Sequence, residues 1–188
     1  MKQTERLRFT CSTGFLLIAA ALLYLDGQGL VLRGALACAL HEGGHGAAIA
    51  LLGGRVRALR LTAVGAEMEL DPRRPLSYGR ELIAALAGPA VNLLLAWFCV
   101  WNGWYLFAGM NICLGLLNLL PICPLDGGRA LFCALNICWP RIADRAVQTV
   151  STFFSGALLG LGWAAWRGWG NLTLLCAALW LMMGILRS

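Results

Sequence analysis

The stretch from Leu30 to Leu52 constrains this chain most: about 23 largely apolar residues with His41-Glu42-Gly43-Gly44-His45 near the midpoint. That length lets a helix cross the hydrocarbon layer of a membrane with some tilt. Residues four apart on an α-helix stand one above the other, so both imidazoles can grip one metal ion while Glu42 stands beside it. Ionisable groups at bilayer depth are costly and are kept for function, so two satisfied core histidines are a poor reading of the pentapeptide. It also holds the only 2 histidines of the protein.

The surrounding composition supports a membrane setting. Hydrophobic residues make up 60% of the 188 and charged residues 13%, where a soluble domain carries roughly a quarter charged. The net charge of +6 does not point to nucleic acid, because the basic residues lie between apolar runs rather than in a patch interleaved with stacking aromatics. The 8 cysteines have no Cys-x-x-Cys spacing and read as small membrane hydrophobes, not a disulfide framework. Cys38 shares the helix face of His41 and is read as packing.

Along the chain, a basic start from Lys2 to Arg8 precedes an apolar run, Phe9 to Leu25. A cleaved leader has this outline, but the near-spanning length and the position of Ala19 to Ala21 inside the run favour a retained first helix. Leu30 to Leu52 is the second span, closed by Gly53-Gly54. From Arg55 to Leu70 the period becomes two around Gly65, which predicts a short β-hairpin whose edge can pair with an extended substrate. The third span, Leu82 to Trp101, contains Ala87-Gly88-Pro89-Ala90-Val91-Asn92, small residues for close helix approach and an amide in the apolar layer.

A fourth span, Trp104 to Leu120, runs into Asn118-Leu119-Leu120-Pro121-Ile122-Cys123-Pro124-Leu125-Asp126-Gly127-Gly128. Its prolines and glycines predict an unwound segment, which at membrane depth must be buried in protein or line a watery cavity. Leu131 to Trp139 is too short to span, and Ala146 to Trp166 and Leu172 to Leu186 complete six spans. The chain is therefore expected to be an all-α polytopic membrane protein, six transmembrane helices with a short β-hairpin between helices two and three, in one membrane-embedded domain over residues 1–188. With both termini cytoplasmic, this layout leaves only Arg33 and Arg167 of the 15 basic residues on the outer side, as the positive-inside rule requires.

A catalytic zinc commonly takes three protein ligands and leaves a position open. His41 and His45 supply two, and Asp126, at the end of an apolar span beside helix breakers, is the best third. Zinc there acidifies water and polarises a carbonyl. Glu42 would take the water's proton and pass it to a leaving amine, and Asn92 or Asn118 would hold substrate backbone or an oxyanion. For Asp126 to reach the histidines, Pro121 must end the fourth helix early.

These residues resemble the site-2 protease family of intramembrane zinc metalloproteases. The resemblance rests on His41-Glu42-Gly43-Gly44-His45, on Leu86-Ala87-Gly88-Pro89-Ala90-Val91-Asn92 and on Asn118 to Gly128 with its Pro-Leu-Asp-Gly core, and the six-span outline extends it to the whole chain, closest to the stage IV sporulation protease branch. It implies zinc on the positions of His41, His45 and Asp126, Glu42 as general base, and cleavage of a membrane-associated protein within or near a transmembrane segment, such as a transcription-factor precursor or sigma-factor regulator. It also implies a multi-pass protein of a bacterial cell membrane, with the bilayer and a membrane regulator as partners. Neither a CBS domain nor a PDZ insertion is expected. The alternatives are a prenyl-protein or heat-shock type membrane peptidase, which would take a glutamate as third ligand although none follows Glu81, and a membrane metal carrier or inactive protease-like scaffold.

Overall fold

The computed structural model describes residues 8–62, 65–170, 172, 174–176, 178, 179, 181 and 182. Helices dominate, accompanied by a sheet of three strands in the order β1 (Arg8–Cys11), β2 (Val56–Thr62), β3 (Gly65–Leu70). The predicted hairpin is β2 and β3, antiparallel with Thr62 opposite Gly65 and a register shift between Val56 and Ala58. The third strand corrects the expected first span. Instead of a helix from Phe9, Arg8–Cys11 pairs in parallel along β2, and helix α1 begins only at Thr13 and ends at Leu25. A hairpin leaves an unpaired edge on each strand, and β1 covers that of β2. The Ser12 N–H continues this pairing to the Leu61 carbonyl at 2.8 Å, while the Ser12 hydroxyl accepts the Phe15 N–H at 3.1 Å and caps α1.

Helix α2 (Leu30–Leu51) follows the predicted bounds closely. Asp26 organises its start, accepting the Val31 N–H at 2.7 Å and the Gln28 N–H at 3.2 Å. Gly53, at φ +84°, ends it in the left-handed region that glycine enters freely. Helix α3 (Tyr78–Trp101) is, among the described residues, the one helix long and apolar enough to cross a membrane by length and composition. It is also the hub, packing against α2, α4 (Tyr105–Asn118) and α5 (Asp126–Cys138).

The stretch between α4 and α5 departs from expectation. Asp126 was expected in an unwound segment reaching Gly128, followed by a short apolar run; instead the irregular part is confined to residues 119–125, and Asp126 is the first residue of α5. The prolines stop α4, but Gly127 and Gly128 lie within the first turn of α5 because that turn rests on the chain just before it. A Cβ on Gly127 would collide with the Leu119 and Leu120 carbonyls, and one on Gly128 would meet the backbone of Ile122 and Cys123 at 2.6 Å. These glycines serve close approach rather than helix breaking.

Helix α6 (Ala143–Trp169) is longer than predicted at both ends and closes on Gly170 at φ +69°. Of the sixth predicted span, Leu172 is not helical, residues 174–176, 178, 179, 181 and 182 are, and the remainder lies outside the described residues, as do Lys2, Arg6 and Arg187 of the charge pattern. All eight cysteines are free, and Cys38 is exposed.

Candidate metal centre

Helical spacing brings the two imidazoles together: His41 Nε2 and His45 Nε2 lie 3.1 Å apart. Asp126, delivered by the first turn of α5, places Oδ2 at 2.9 Å from His41 Nε2 and 3.2 Å from His45 Nε2. No other three His, Cys, Asp or Glu side chains among the described residues converge in this way. A tetrahedral ion with bonds of about 2 Å spaces its ligand atoms about 3.3 Å apart, close to this triangle.

The protonation of the rings follows from their outer partners. The His45 Nδ1–H donates to the Ala84 backbone carbonyl at 2.7 Å, a group that can only accept. His41 is fixed through a longer chain. The Asn111 Nδ2 donates to the Phe107 carbonyl of its own helix at 2.9 Å, which turns Asn111 Oδ1 towards Asn92. The Asn92 Nδ2 donates to that oxygen at 2.8 Å and approaches the Ala37 carbonyl at 3.4 Å, so Asn92 Oδ1 must face His41 and accept the Nδ1–H. With Nδ1 committed in this way, Nε2 is the nitrogen that each ring turns towards the Asp126 carboxylate, the atom through which each histidine can ligate a metal. Two Nε2 atoms and a carboxylate oxygen within 3.2 Å of one another form a donor set that fits one metal ion.

Close helix approach makes this geometry possible. Gly44 lies against α3, where a Cβ would stand 3.0 Å from the Ala87 carbonyl, and a Cβ on Gly88 would strike the His45 imidazole. Pro89 interrupts the hydrogen-bond ladder of α3 at the same level, leaving the Ala85 carbonyl without its usual donor beside the carbonyl that holds His45. Gly43 and Gly46 face no atom within 4 Å and take no part in this contact.

Glu42, His45 and Asp126 open on one cavity of about 240 Å³, whose other walls include Met68 and Leu70 of β3 and Arg129 of α5. Of the two asparagines expected to hold substrate, Asn92 is wholly buried with its donors and acceptor engaged, so it orients a ligand ring and has nothing to offer a substrate. The Asn118 Nδ2 donates to the Leu114 carbonyl within α4 at 3.1 Å, and its side chain does not join the cluster. Asn111 was missed in sequence, although a lone amide in an apolar run carries the same signal as Asn92. The Ala84 carbonyl has no side-chain signature at all.

Comparison with known proteins bears on family and fold. Residues 99–162 match the model of peptidase family M50. Stage IV sporulation protein FB of Bacillus subtilis is 34% identical over 131 residues, covering 63% of this chain and 44% of that protein. A Mesorhizobium japonicum protein that bears a zinc metalloprotease name is 33% identical over 140 residues, 74% of this chain and 34% of its own length. The chain thus spans less than half the length of these curated relatives. Among solved structures, the site-2 protease of Methanocaldococcus jannaschii superposes with a TM-score of 0.71 at 19% identity, covering 100% of this chain and 92% of that one. The chain is thus similar to peptidase family M50 over residues 99–162 and shares the fold of the site-2 protease.

Proposed function

We propose that this protein is an intramembrane zinc metalloprotease that cleaves membrane-associated proteins within or near a transmembrane segment. The observation that carries the reading is the convergence of His41 Nε2, His45 Nε2 and Asp126 Oδ2 within 3.2 Å of one another, with both Nδ1 protons committed elsewhere. Two imidazoles and a carboxylate on a tetrahedral pattern are the donor set of a catalytic zinc with a position left open, and the zinc metalloprotease name of a relative supports that choice of ion. Bound there, zinc supplies the positive charge that activates water and polarises the scissile carbonyl.

The chain's own residues do the rest. Glu42 follows His41 directly and lines the same cavity as His45 and Asp126, so its carboxylate is placed to take a proton from water and return it to the leaving amine. Asn92, backed by Asn111, keeps His41 in the ligating tautomer, and the Ala84 carbonyl does the same for His45. The substrate lies extended along β3. That strand is at the edge of the sheet, alternate residues Ala66, Met68 and Leu70 face the cavity, and strand addition holds backbone without demanding sequence. An extended peptide also exposes the amide that a helix would shield. The chain lies in the membrane as six spans, with both termini and the sheet on the cytoplasmic side, and α5 serves as a short partial helix that delivers Asp126.

The test is to purify the full chain and its Glu42→Gln variant, measure zinc per chain, and follow cleavage of a co-expressed membrane substrate. Both forms are expected to hold one zinc. The variant should lose cleavage by at least about a hundredfold, the lower range for removing a general base. Normal cleavage by the variant would falsify the mechanism, and wild-type chain that binds no zinc would sink the metal assignment.

A further inference from the structure

The sheet has two unlike faces. Leu70, Met68 and Ala66 of β3 turn towards the metal cavity. The opposite face carries Arg8, Thr10, Ala58, Arg60 and Glu69, because the register sets Arg8 opposite Ala58, Thr10 opposite Arg60 and Ala58 opposite Glu69. The irregularity between Val56 and Ala58 brings Arg57 to the same place. Together these residues line a concavity of about 400 Å³. Ala58, small and 5% exposed, forms its floor between longer side chains.

The charge in this concavity is unbalanced. Arg60 pairs with Glu69 at 3.1 Å, both side chains roughly half exposed. Among the described residues, Arg8 and Arg57 have no carboxylate partner. The register also sets Glu67 opposite Arg60, so it is Arg8 and Arg57 that give the pocket its excess of positive charge, and guanidinium forks suit phosphate oxygens. Its position in the fold selects the source of the phosphate. β1 leads through Ser12 directly into the N-terminus of α1, β2 follows the C-terminus of α2, and β3 precedes the N-terminus of α3. In an alternating bundle all three helix ends lie on one side, so the sheet stands where helices meet headgroups.

We propose that this arginine-lined face binds the phosphate of an anionic phospholipid headgroup, anchoring the sheet, and with it the β3 edge, at a fixed height above the metal site. The proposal rests on the membrane-spanning reading above. Anchoring matters for that edge: a strand that must present substrate to Glu42 and the metal gains from being held at both faces.

The test uses the full chain in detergent micelles, titrated in turn with phosphatidylglycerol, phosphatidylcholine, inorganic phosphate and an acidic peptide, with bound adducts counted by native mass spectrometry. Phosphatidylglycerol should be retained over phosphatidylcholine. Arg8→Gln with Arg57→Gln should lower that retention by about thirtyfold, given the usual worth of each arginine at an anionic surface. Arg8→Lys with Arg57→Lys should largely keep it, and circular dichroism of each variant shows whether the fold is intact. Equal retention of both lipids, or unchanged retention in the folded glutamine variant, overturns the proposal. So does an acidic peptide that displaces the lipid completely, which would assign the face to protein, or inorganic phosphate that binds as tightly as the headgroup. Failure of the membrane reading is seen separately, as extraction of the chain from cell membranes by alkaline carbonate.

Discussion

The two halves of the metal centre are built by opposite means. On α2, a local rule does all the work: four residues per helical step stack His41 over His45, and any helix over Leu30–Leu51 would do so. At the junction of α4 and α5, no local rule places Asp126. It arrives through a seven-residue detour, residues 119–125, folded tightly enough that Gly127 and Gly128 touch the backbone before them. One half is robust because it is repetitive, and the other is fragile because it depends on the absence of two β-carbons.

A matched pair of glycine substitutions breaks this comparison most directly. In Gly127→Ala the new methyl has only backbone carbonyls of Leu119 and Leu120 to meet, so α5 must shift and carry Asp126 away. Overpacking of this kind costs about 1–3 kcal/mol or more. Zinc content and cleavage should both fall severely, with His41 and His45 still in place. Gly43→Ala, beside the histidines but facing no atom within 4 Å, should leave zinc content unchanged and raise helix stability by up to about 1 kcal/mol. Equal zinc loss in the two variants, read by metal analysis of purified protein, would show that α2 is no more robust than the junction.

The next effect is smaller and lies in the amides behind His41. Asn92→Ala removes the acceptor that commits the Nδ1 proton, and loss of such a partner typically weakens metal affinity 10–100-fold. Asn111→Ala acts one step further out, freeing the Asn92 amide to rotate, and should weaken affinity by less than Asn92→Ala does. Competition with a zinc chelator measures both. If Asn111→Ala proves as damaging as Asn92→Ala, the chain from Phe107 to His41 acts as one rigid unit rather than in graded steps.

The same contrast explains what could be read from sequence. The stacking of His41 on His45, the hairpin and the course of α2 and α3 depend on periods of 3.6 and 2 that residue order displays. Asp126 stands out as a carboxylate among breakers, but its surroundings do not, because prolines and glycines signal interruption and cannot announce that a glycine is there to let backbone touch backbone. Strand β1 was hidden for a related reason: Arg8–Cys11 runs straight into an apolar helix, and only the open edge of β2, fifty residues away, makes it a strand. Asn92 showed itself as a polar group in an apolar span, but which way its amide faces depends on Asn111 in another helix.

The smallest expected effect concerns the entry to α2, where local rules again govern. Desolvation pushes the Asp26 carboxyl upward, but the N–H groups of Leu30, Val31, Gln28 and Gly29 outweigh it and hold its pKa below the ordinary carboxylate value. A carboxylate lowered in this way lends stability that is complete above its unfolded pKa and is lost as pH falls through the folded one. The advantage of the parent chain over Asp26→Asn in thermal unfolding should therefore be constant from neutral pH to about 4 and narrow below it. Cleavage and zinc content at neutral pH should be the same in both, since the metal pair lies more than three helical turns downstream of the cap. A stability gap that stays constant to strong acid would mean that the charge of Asp26 is idle; a loss of zinc would mean that α2 does not hold its histidines by local structure alone.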